Sequence, residues 1–405
     1  MGHQNDLSVL VPVEGIRLGT ASAGIKRRDR DDITLIEICE GASCAGVFTR
    51  NRFCAAPVEV AREHLQKTDP CFLLINSGNA NAGMGRVGLE NTLATCQHLA
   101  ETAGCGAVRV LPFSTGVIGE PLPVSLIQAA IPKALNALSP DNWLASARAI
   151  MTTDTVPKGY SKVICIDGHP VVITGIAKGA GMIHPNMATM LAFIATDAAV
   201  DSTVLGACLR HAVERTFNRI TVDGDTSTND ACVFMATGKA GAPRVEAMQG
   251  PGYEVLKAAV TEVCWHLAHA IIQDGEGATK FISVQVEGGR TEEECLQVAR
   301  VVALSPLVKT AFFASDPNWG RILAAVGRAG LDDLVIEGVS IHLDEVCIVR
   351  GGARAEEYTE AEGRRVMARR DIAITIALGR GGARATVWTC DLSYDYVRIN
   401  AEYRT

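Results

Sequence analysis

Short runs of β-branched and aromatic residues, bounded by Gly or Asn, recur along the chain and predict strands. The clearest runs are Thr34 to Cys39, Cys71 to Ile75, Val108 to Leu111, Ala231 to Met235 and Phe281 to Val286. Apolar residues three and four positions apart predict helices over residues 91–103, 202–217 and 252–274. Gly104 and Gly275 follow two of these helices, and glycine is typical just after a helix.

Some links between the strand runs are short enough to predict hairpins. Asp167-Gly168 stands between two apolar runs, and an Asp-Gly pair is favoured in two-residue hairpin turns. Residues 371–392, DIAITIALGRGGARATVWTCDL, repeat this plan and predict a second hairpin. Because parallel neighbours need long crossovers, helices alternating with hairpins favour an α+β fold over a doubly wound parallel sheet. We expect a layered sandwich of helices with antiparallel or mixed sheets.

The stretch from Lys178 to Asp197 encloses a long segment without formal charge. Its length is close to the roughly 20 apolar residues that cross a bilayer. A spanning helix would, however, leave backbone groups around Gly179, Gly181 and Pro185 unsatisfied in lipid. We therefore predict no membrane span here, but a constrained loop that leads into a buried strand.

The composition indicates a globular protein that acts on a small molecule. The chain has 405 residues, of which 48% are hydrophobic and 20% charged, enough for one large core or for a few domains. Its net charge of -7 argues against a nucleic-acid partner, since such partners select basic surfaces. Thirteen cysteines, scattered through apolar runs, predict buried free thiols. The amino-terminal residues lack the pattern of a signal peptide, so a cytoplasmic location is expected.

Three motifs resemble ligand-binding segments without matching their spacing. Residues 274–281, DGEGATKF, follow a helix and precede a strand, the reverse of a phosphate loop, and predict a tight turn. The spaced acids from Asp223 onward lack the glycine and the final glutamate of a calcium loop, which leaves a polar turn that could line a pocket. Cys264, His266 and His269 share one helix but have no second cluster to complete a zinc site. We predict no metal.

Small polar residues and one Ala-Thr bond provide the candidate chemistry. Residues 76–85 and 112–120 each follow a predicted strand, where functional loops are common, although plain turns have the same composition. The Ala188-Thr189 bond precedes the buried strand. If Thr189 Oγ attacked the preceding carbonyl and water released the ester, Thr189 would carry a free α-amine. With a pKa of about 7.7–8.0, that amine could accept the proton of the adjacent hydroxyl, so one residue would supply nucleophile and base.

Residues 177–191, AKGAGMIHPNMATML, closely resemble the self-cleavage segment of the ornithine acetyltransferase family, also called glutamate N-acetyltransferase, of the arginine pathway. Further segments that are similar to the family, in family order, cover essentially the whole chain: CAGVFTRNRFCAAPV, INSGNANAG, STGVIGE, MTTDTVPK, TVDGDTSTND, DGEGATKF, DPNWGRI and INAEYRT. One departure is Ala180, where many relatives have Ser.

The resemblance implies a self-cleaving fold of the N-terminal-nucleophile type. Residues 1–188 would form an α chain and residues 189–405 a β chain, interlocked as one folded unit and paired as an α2β2 heterotetramer. Thr189 matches the family's nucleophile. Thr115 and Gly116 match the pair that stabilises the negative oxygen of the reaction intermediate.

The resemblance also implies the reaction. The positions that match substrate-binding residues of the family are Thr155, Lys178, Thr189, Glu276, Asn400 and Thr405. The enzyme would transfer an acetyl group from N-acetylornithine to glutamate through an acetyl-Thr189 intermediate, without a metal or organic cofactor. Acetyl-CoA could load the same intermediate. Two alternatives stay open: an amidase or aminopeptidase that passes the acyl group to water, and an uncleaved binding protein of the same fold.

Overall fold

The computed structural model describes residues 10–26, 29–184 and 190–402. Contacts divide the chain into two compact units. The first comprises the chain up to Asn218 together with Asp225–Ile271, and the second comprises Arg219–Gly224 together with the chain from Ile272 onward. Both units combine β-sheet with α-helices.

The described residues form sixteen strands and eleven α-helices. In the amino-terminal part they are β1 (Ile16–Ala21), β2 (Ile33–Ile38), β3 (Ser43–Phe48), α1 (Ala56–Lys67), β4 (Phe72–Asn79), α2 (Gly85–Ala103), β5 (Val110–Val117), α3 (Val124–Asn136), α4 (Trp143–Ala149), β6 (Lys158–Ile166), β7 (His169–Lys178), β8 (Leu191–Thr196), α5 (Ser202–Arg215), β9 (Ile220–Thr221) and β10 (Ala231–Ala236). The remainder are α6 (Pro251–Gln273), β11 (Phe281–Gly289), α7 (Glu292–Ala303), α8 (Pro306–Phe313), α9 (Trp319–Gly327), β12 (Ser340–Leu343), β13 (Val346–Arg350), β14 (Ala353–Arg354), α10 (Glu360–Met367), β15 (Asp371–Ala377), β16 (Ala383–Cys390) and α11 (Tyr394–Ala401).

Two sheets lie face to face in the first unit. One has the strand order β1-β2-β4-β5 and the other β3-β10-β8-β7-β6. Because side chains alternate along a strand, Leu35 packs with helices α2 and α3, while its neighbour Ile36 packs with β8 and β10 of the other sheet. Phe113 of β5 and Phe193 of β8 meet edge to face between the sheets, with ring centroids 5.2 Å apart. The sheets therefore share one apolar core.

Helices cover the outer face of the second sheet as well. Helix α5 contacts β3 and β10. Val263 and Leu267 of α6 lie against Gly175 of β7, where the missing side chain leaves room for them. The first unit thus has four layers, helices, sheet, sheet and helices, which confirms the layered α+β sandwich expected from the sequence.

Helix α6 is the one described single helix that is long and apolar enough to cross a membrane. Half of its most apolar window is buried in the protein, and the bent pair α7 and α8 passes the same test only when taken together. Packing of α6 on β7 accounts for its apolar composition, since core helices share this composition with membrane spans.

The second unit contains a sheet of seven strands in the order β14-β13-β12-β15-β11-β16-β9. Helix α7 packs on β11 and β16. Val284 of β11 and Val298 of α7 are fully buried in a core shared with Ile374 of β15. Parallel pairs, β11 with β15 and β9 with β16, occur beside antiparallel pairs, so this sheet is mixed.

The predicted hairpin at Asp167-Gly168 is confirmed. Strands β6 and β7 pair in antiparallel register from Ile166 and His169 outward. Asp167 and Gly168 have φ angles of 47° and 83°. Positive φ at both central residues is typical of the type I′ turn, whose twist matches that of the two strands.

The second predicted hairpin, over residues 371–392, is wrong. Strands β15 and β16 run in opposite directions, but β11 lies between them and pairs with both. The connection 378–382 is long enough to cross the end of β11, where the backbone N–H groups of Arg380 and Gly381 donate to the carbonyl of Gly288 at 2.7 and 2.8 Å. The alternating pattern correctly predicts two strands, but it contains no information about a third strand that lies between them.

Candidate functional site

The first residues of the two small polar segments continue strands, and loops begin only at residues 80 and 118. Strand β4 extends to Asn79 and β5 to Val117, and the two pair in parallel, with Ser77 opposite Thr115 and Gly78 opposite Gly116. The loop prediction is therefore wrong for residues 76–79 and 112–117, and correct for residues 80–84 and 118–120. The run of apolar residues that predicts β4 ends near Ile75. The pairing of β4 with β5 continues beyond it, because the backbone groups of each strand form hydrogen bonds with those of the other.

Gly116 occupies a position that admits no side chain. Its φ is 137°, and an added Cβ would lie 2.2 Å from the carbonyl carbon of Gly78. Contact at that distance is impossible without displacing the backbone of β4. Glycine at this position lets the two strands remain close at their carboxyl ends.

Thr115 and Lys178, which the family resemblance assigns to one site, lie together in the first unit. Lys178 Nζ donates a hydrogen bond of 3.1 Å to Thr115 Oγ1, and Thr115 is buried. Lys178 ends β7 and pairs in register with Leu191, the first residue of β8. The cleavage pair Ala188 and Thr189 lies outside the described residues.

Asp154, which no sequence motif singles out, is a buried carboxylate close enough to Lys178 to interact with its charge. Its Oδ1 accepts hydrogen bonds from Lys158 Nζ at 2.6 Å and from the Gly179 N–H at 2.7 Å. Its Oδ2 accepts from the Thr152 N–H at 3.0 Å. Burial raises the pKa of Asp154, but the charges of Lys158 and Lys178 and these hydrogen bonds outweigh it, so the pKa lies well below its ordinary value. In the sequence, the one sign of the pair of Asp154 and Lys158 is their spacing of four residues in MTTDTVPK.

A second buried carboxyl lies at the start of β10. Asp230 is 3% exposed, and within the described part of the chain its Oδ2 has no hydrogen-bond partner. Burial raises the pKa of Asp230 well above its ordinary value, against smaller opposing effects of a Ser227 hydrogen bond and the Lys178 charge. The next residue, Ala231, donates its N–H to the carbonyl of Met190 at 3.0 Å. Asp230 is therefore next in the chain to a residue whose N–H is hydrogen-bonded to Met190, the residue that precedes β8.

The polar turn expected after Asp223 connects several of these strands. Asn229 Nδ2 donates to the carbonyls of Ala80 and Ser114 at 2.6 and 2.9 Å. Thr226 Oγ1 donates to the carbonyl of His184 at 2.9 Å. Residues 226–230 thus hold the ends of β4 and β5 and the chain just before residue 185 in one hydrogen-bonded network.

In the second unit, Glu276 and Asn400 contact each other. Asn400 Nδ2 donates to Glu276 Oε2 at 2.8 Å. Glu276 is buried in the turn between α6 and β11, which confirms a turn at DGEGATKF, and Asn400 is exposed in the last turn of α11. Thr155 of the first unit is exposed beside Asp154, and Thr405 lies outside the described residues.

The cysteine and the two histidines of α6 pack against other side chains of the protein. The ring of His266 stacks on Tyr160 with centroids 3.7 Å apart, and Cys264 is fully buried. Burial and the nearby His266 lower the pKa of His269 to about 3. Within the described ranges, no group of three or more His, Cys, Asp or Glu side chains could hold a metal ion.

Comparison with known proteins identifies the family. The ArgJ family model matches residues 17–405. The chain is 62% identical over 399 residues to an arginine biosynthesis bifunctional protein ArgJ of Methylococcus capsulatus, covering 98% of this chain and 97% of that protein. It is 56% identical to the protein of the same name from Pseudomonas syringae pv. tomato, covering 98% of each. A crystal structure of arginine biosynthesis bifunctional protein argJ from Bacillus halodurans matches with a TM-score of 0.49 and 39% identity, over 51% of this chain and 95% of that chain.

The chain belongs to the ArgJ family. This confirms the resemblance to the ornithine acetyltransferase family and assigns the chain to the acyltransferases of arginine biosynthesis.

Proposed function

We propose that this enzyme transfers an acetyl group from N-acetylornithine to glutamate through an acetyl ester of Thr189. The nucleophile is released when the chain cleaves itself between Ala188 and Thr189. Family membership supports the reaction. The observation that carries the proposal is the contact of Lys178 with Thr115 beside Gly116, at strand ends in the first unit, with β8 beginning at Leu191 just after the predicted nucleophile.

In the first half-reaction, Thr189 Oγ attacks the acetyl carbonyl while the α-amine of Thr189 takes the hydroxyl proton. The Thr115 hydroxyl and the Gly116 N–H donate to the resulting oxyanion. Because Thr115 Oγ1 already accepts from Lys178 Nζ, its own proton is available for that bond. The C–N bond then breaks, the amine of ornithine takes the proton, and acetyl-Thr189 remains.

In the second half-reaction, the α-amine of glutamate attacks the ester. The bond to Thr189 Oγ breaks, the proton returns to that oxygen, and N-acetylglutamate leaves. Lys178 is suited to the α-carboxylate of either substrate, and the carboxylate of Glu276 to the side-chain amine of ornithine. The proposal also assigns substrate contacts to Thr155, Asn400 and Thr405.

The proposed cleavage gives an α chain of residues 1–188 and a β chain of residues 189–405, which differs from the division into compact units. Strands β7 and β8 lie on either side of the cleavage position and pair from Ile173 with Thr196 to Lys178 with Leu191. This ladder supports the two chains staying together after cleavage. We further propose an α2β2 assembly in the cytoplasm and a second donor, acetyl-CoA, in line with the word bifunctional in the relatives' names.

A denaturing mass spectrum of the purified protein, with amino-terminal sequencing, tests the proposal first. We expect fragments of 188 and 217 residues (405 minus 188), the second beginning Thr-Met-Leu-Ala-Phe. A Thr189→Ala variant should remain a single chain of 42.9 kDa without transfer activity. Two fragments from that variant would assign the cleavage to another residue.

An acceptor assay separates transfer from hydrolysis. Ornithine release from N-acetylornithine should depend on glutamate, with N-acetylglutamate formed in equal amount. If release is unchanged without glutamate and free acetate accumulates, the enzyme is an amidase instead.

A further inference from the structure

The first unit contains a basic cavity of about 610 Å³ that the transfer reaction does not use. We call it the arginine cavity. Its wall is formed by the end of β3, by the loop that follows, and by one residue each from α1 and α5. The charged residues that line it are Arg50, Arg52, Arg62 and Arg210.

In the part of the chain that the structure describes, the arginines of this cavity are not matched by acidic partners. Within the described residues, none of the four arginines forms an ion pair with a carboxylate. Arg62 is held in place, because its Nη2 donates to the carbonyl of Thr49 at 3.2 Å and its guanidinium lies 5.5 Å from the centroid of the Phe48 ring. Glu59 and Asp230 lie near Cys54 in the same wall, and burial raises the pKa of Asp230 well above its ordinary value. In a chain of net charge -7, four arginines around one cavity form a local anion-binding surface.

The loop of the arginine cavity is hydrogen-bonded to the polar turn at residues 226–230. Asn51 Nδ2 donates to the carbonyl of Thr226 at 2.9 Å, and Thr49 Oγ1 donates to the carbonyl of Ser227 at 2.9 Å. Thr226 in turn donates to His184, just before the proposed cleavage segment. One hydrogen-bonded network therefore joins the loop of the arginine cavity to His184, which is five residues before the proposed nucleophile in the sequence.

An aromatic side chain accompanies the arginines. Phe53 is 80% exposed, and its N–H donates to Asn51 Oδ1 at 2.9 Å, which fixes the turn of the loop. Phe53 follows Arg52 in the chain, so the loop of the arginine cavity carries an exposed aromatic ring that can stack on a nucleobase.

We propose that the arginine cavity binds the phosphate groups of a nucleotide-containing acyl donor, a coenzyme A thioester. Guanidinium groups bind phosphate through paired, charge-assisted hydrogen bonds. The bound donor would deliver its thioester to Thr189: Oγ attacks the carbonyl, the C–S bond breaks, and the thiol leaves with the proton of the hydroxyl. This inference rests on the proposed function, because it uses the same acetyl-Thr189 intermediate.

Titration calorimetry with coenzyme A, which cannot acylate the enzyme, tests the cavity directly. The test variant is Arg50→Gln/Arg52→Gln, and the matched control is Arg86→Gln/Arg244→Gln, which removes two exposed arginines of the same unit. We expect the Kd for coenzyme A to rise at least about tenfold in the test variant, the effect of losing charge-assisted bonds, and to stay unchanged in the control. Adenosine 3′,5′-bisphosphate should compete, and rising salt should weaken binding.

Equal affinity of the test variant and wild type, or no binding of coenzyme A by wild type, would overturn the inference. Competition by sulfate as effective as that by adenosine bisphosphate would overturn it as well. Transfer from N-acetylornithine to glutamate should be unchanged in the test variant. If wild type lacks that transfer, the proposed function fails, and the titration still reports on the cavity independently.

Discussion

Asp154 and Lys158 carry opposite charges on side chains that are both fully buried, with Nζ and Oδ1 2.6 Å apart. Replacing Asp154 by Asn leaves the ammonium of Lys158 in the core without its counter-charge. We expect the free energy of unfolding to fall by about 3–5 kcal/mol, the cost of breaking a buried pair from one side. Urea denaturation of the variant and of wild type measures the difference.

The double variant Asp154→Leu/Lys158→Met separates the effect of the pair on stability from its effect on the position of the backbone beside Lys178. It removes both buried charges, so most of the lost stability should return. The Gly179 N–H still loses its acceptor beside Lys178, and kcat should therefore stay reduced. A double variant with full activity would mean that the pair serves the core alone.

The raised pKa of Asp230 leads us to predict an unusual dependence of the free energy of unfolding on pH. Its folded-state pKa is raised, so its contribution is fully present below the ordinary value of 3.8 and is lost as pH rises toward the folded pKa. An Asp230→Asn variant keeps the shape without the ionisation. Relative to this variant, wild type should lose up to about 1.4 kcal/mol per pH unit across that window. Denaturation at pH 5, 6.5 and 8 measures the difference, and a difference independent of pH would contradict a raised pKa of Asp230.

The close parallel pair of β4 and β5 depends on a glycine with no space around it. Gly116 and Gly119 both have positive φ, 137° and 82°, but only Gly116 has backbone within 4 Å of an added Cβ. Both Gly→Ala changes incur backbone strain, and only Gly116→Ala must also push the strands apart. We expect Gly116→Ala to be roughly 2–4 kcal/mol less stable than Gly119→Ala, measured by thermal and urea unfolding. Equal losses would show that the strands separate easily.

The sequence predicts where helices and strands lie better than it predicts which strands pair with each other. Helix α2 ends at Ala103 before Gly104 in the left-handed conformation, as the glycine predicts, and the Asp167-Gly168 turn is correct in both strands and pairing. These features depend on local backbone chemistry. Pairing across β11 depends on residues about 90 positions away along the chain, so residues 371–392 alone could not reveal it.

The candidate site also depends on contacts between residues that are distant in the sequence, and these are hard to predict. Lys178 and Thr115 are 63 residues apart, and only the family resemblance brings them together before the structure does. Asp154 and Asp230 act through burial, which periodicity does not report for an isolated acid in a loop. Thr189, Ala188 and Thr405 lie outside the described residues, so their roles stay predictions.

The whole chain carries thirteen free cysteines, of which eight are buried, four half-buried and one, Cys165, exposed. The prediction of buried free thiols is thus confirmed for most of them. Burial raises the pKa of Cys96 to about 12 and of Cys208 to about 11, so both remain thiols at neutral pH. Because alkylation requires an accessible thiolate, the folded protein should expose a single fast-reacting site.

Alkylation with iodoacetamide at pH 8, followed by peptide mass spectrometry, measures this. We expect Cys165 to be modified first, the four half-buried thiols slowly, and the eight buried ones only after unfolding in guanidinium chloride, when all thirteen react. A Cys165→Ser variant should lose the fast phase alone. Rapid modification of Cys96 or Cys208 in native protein would mean that the helices of the first unit open readily, because neither thiol can react from within the packed core.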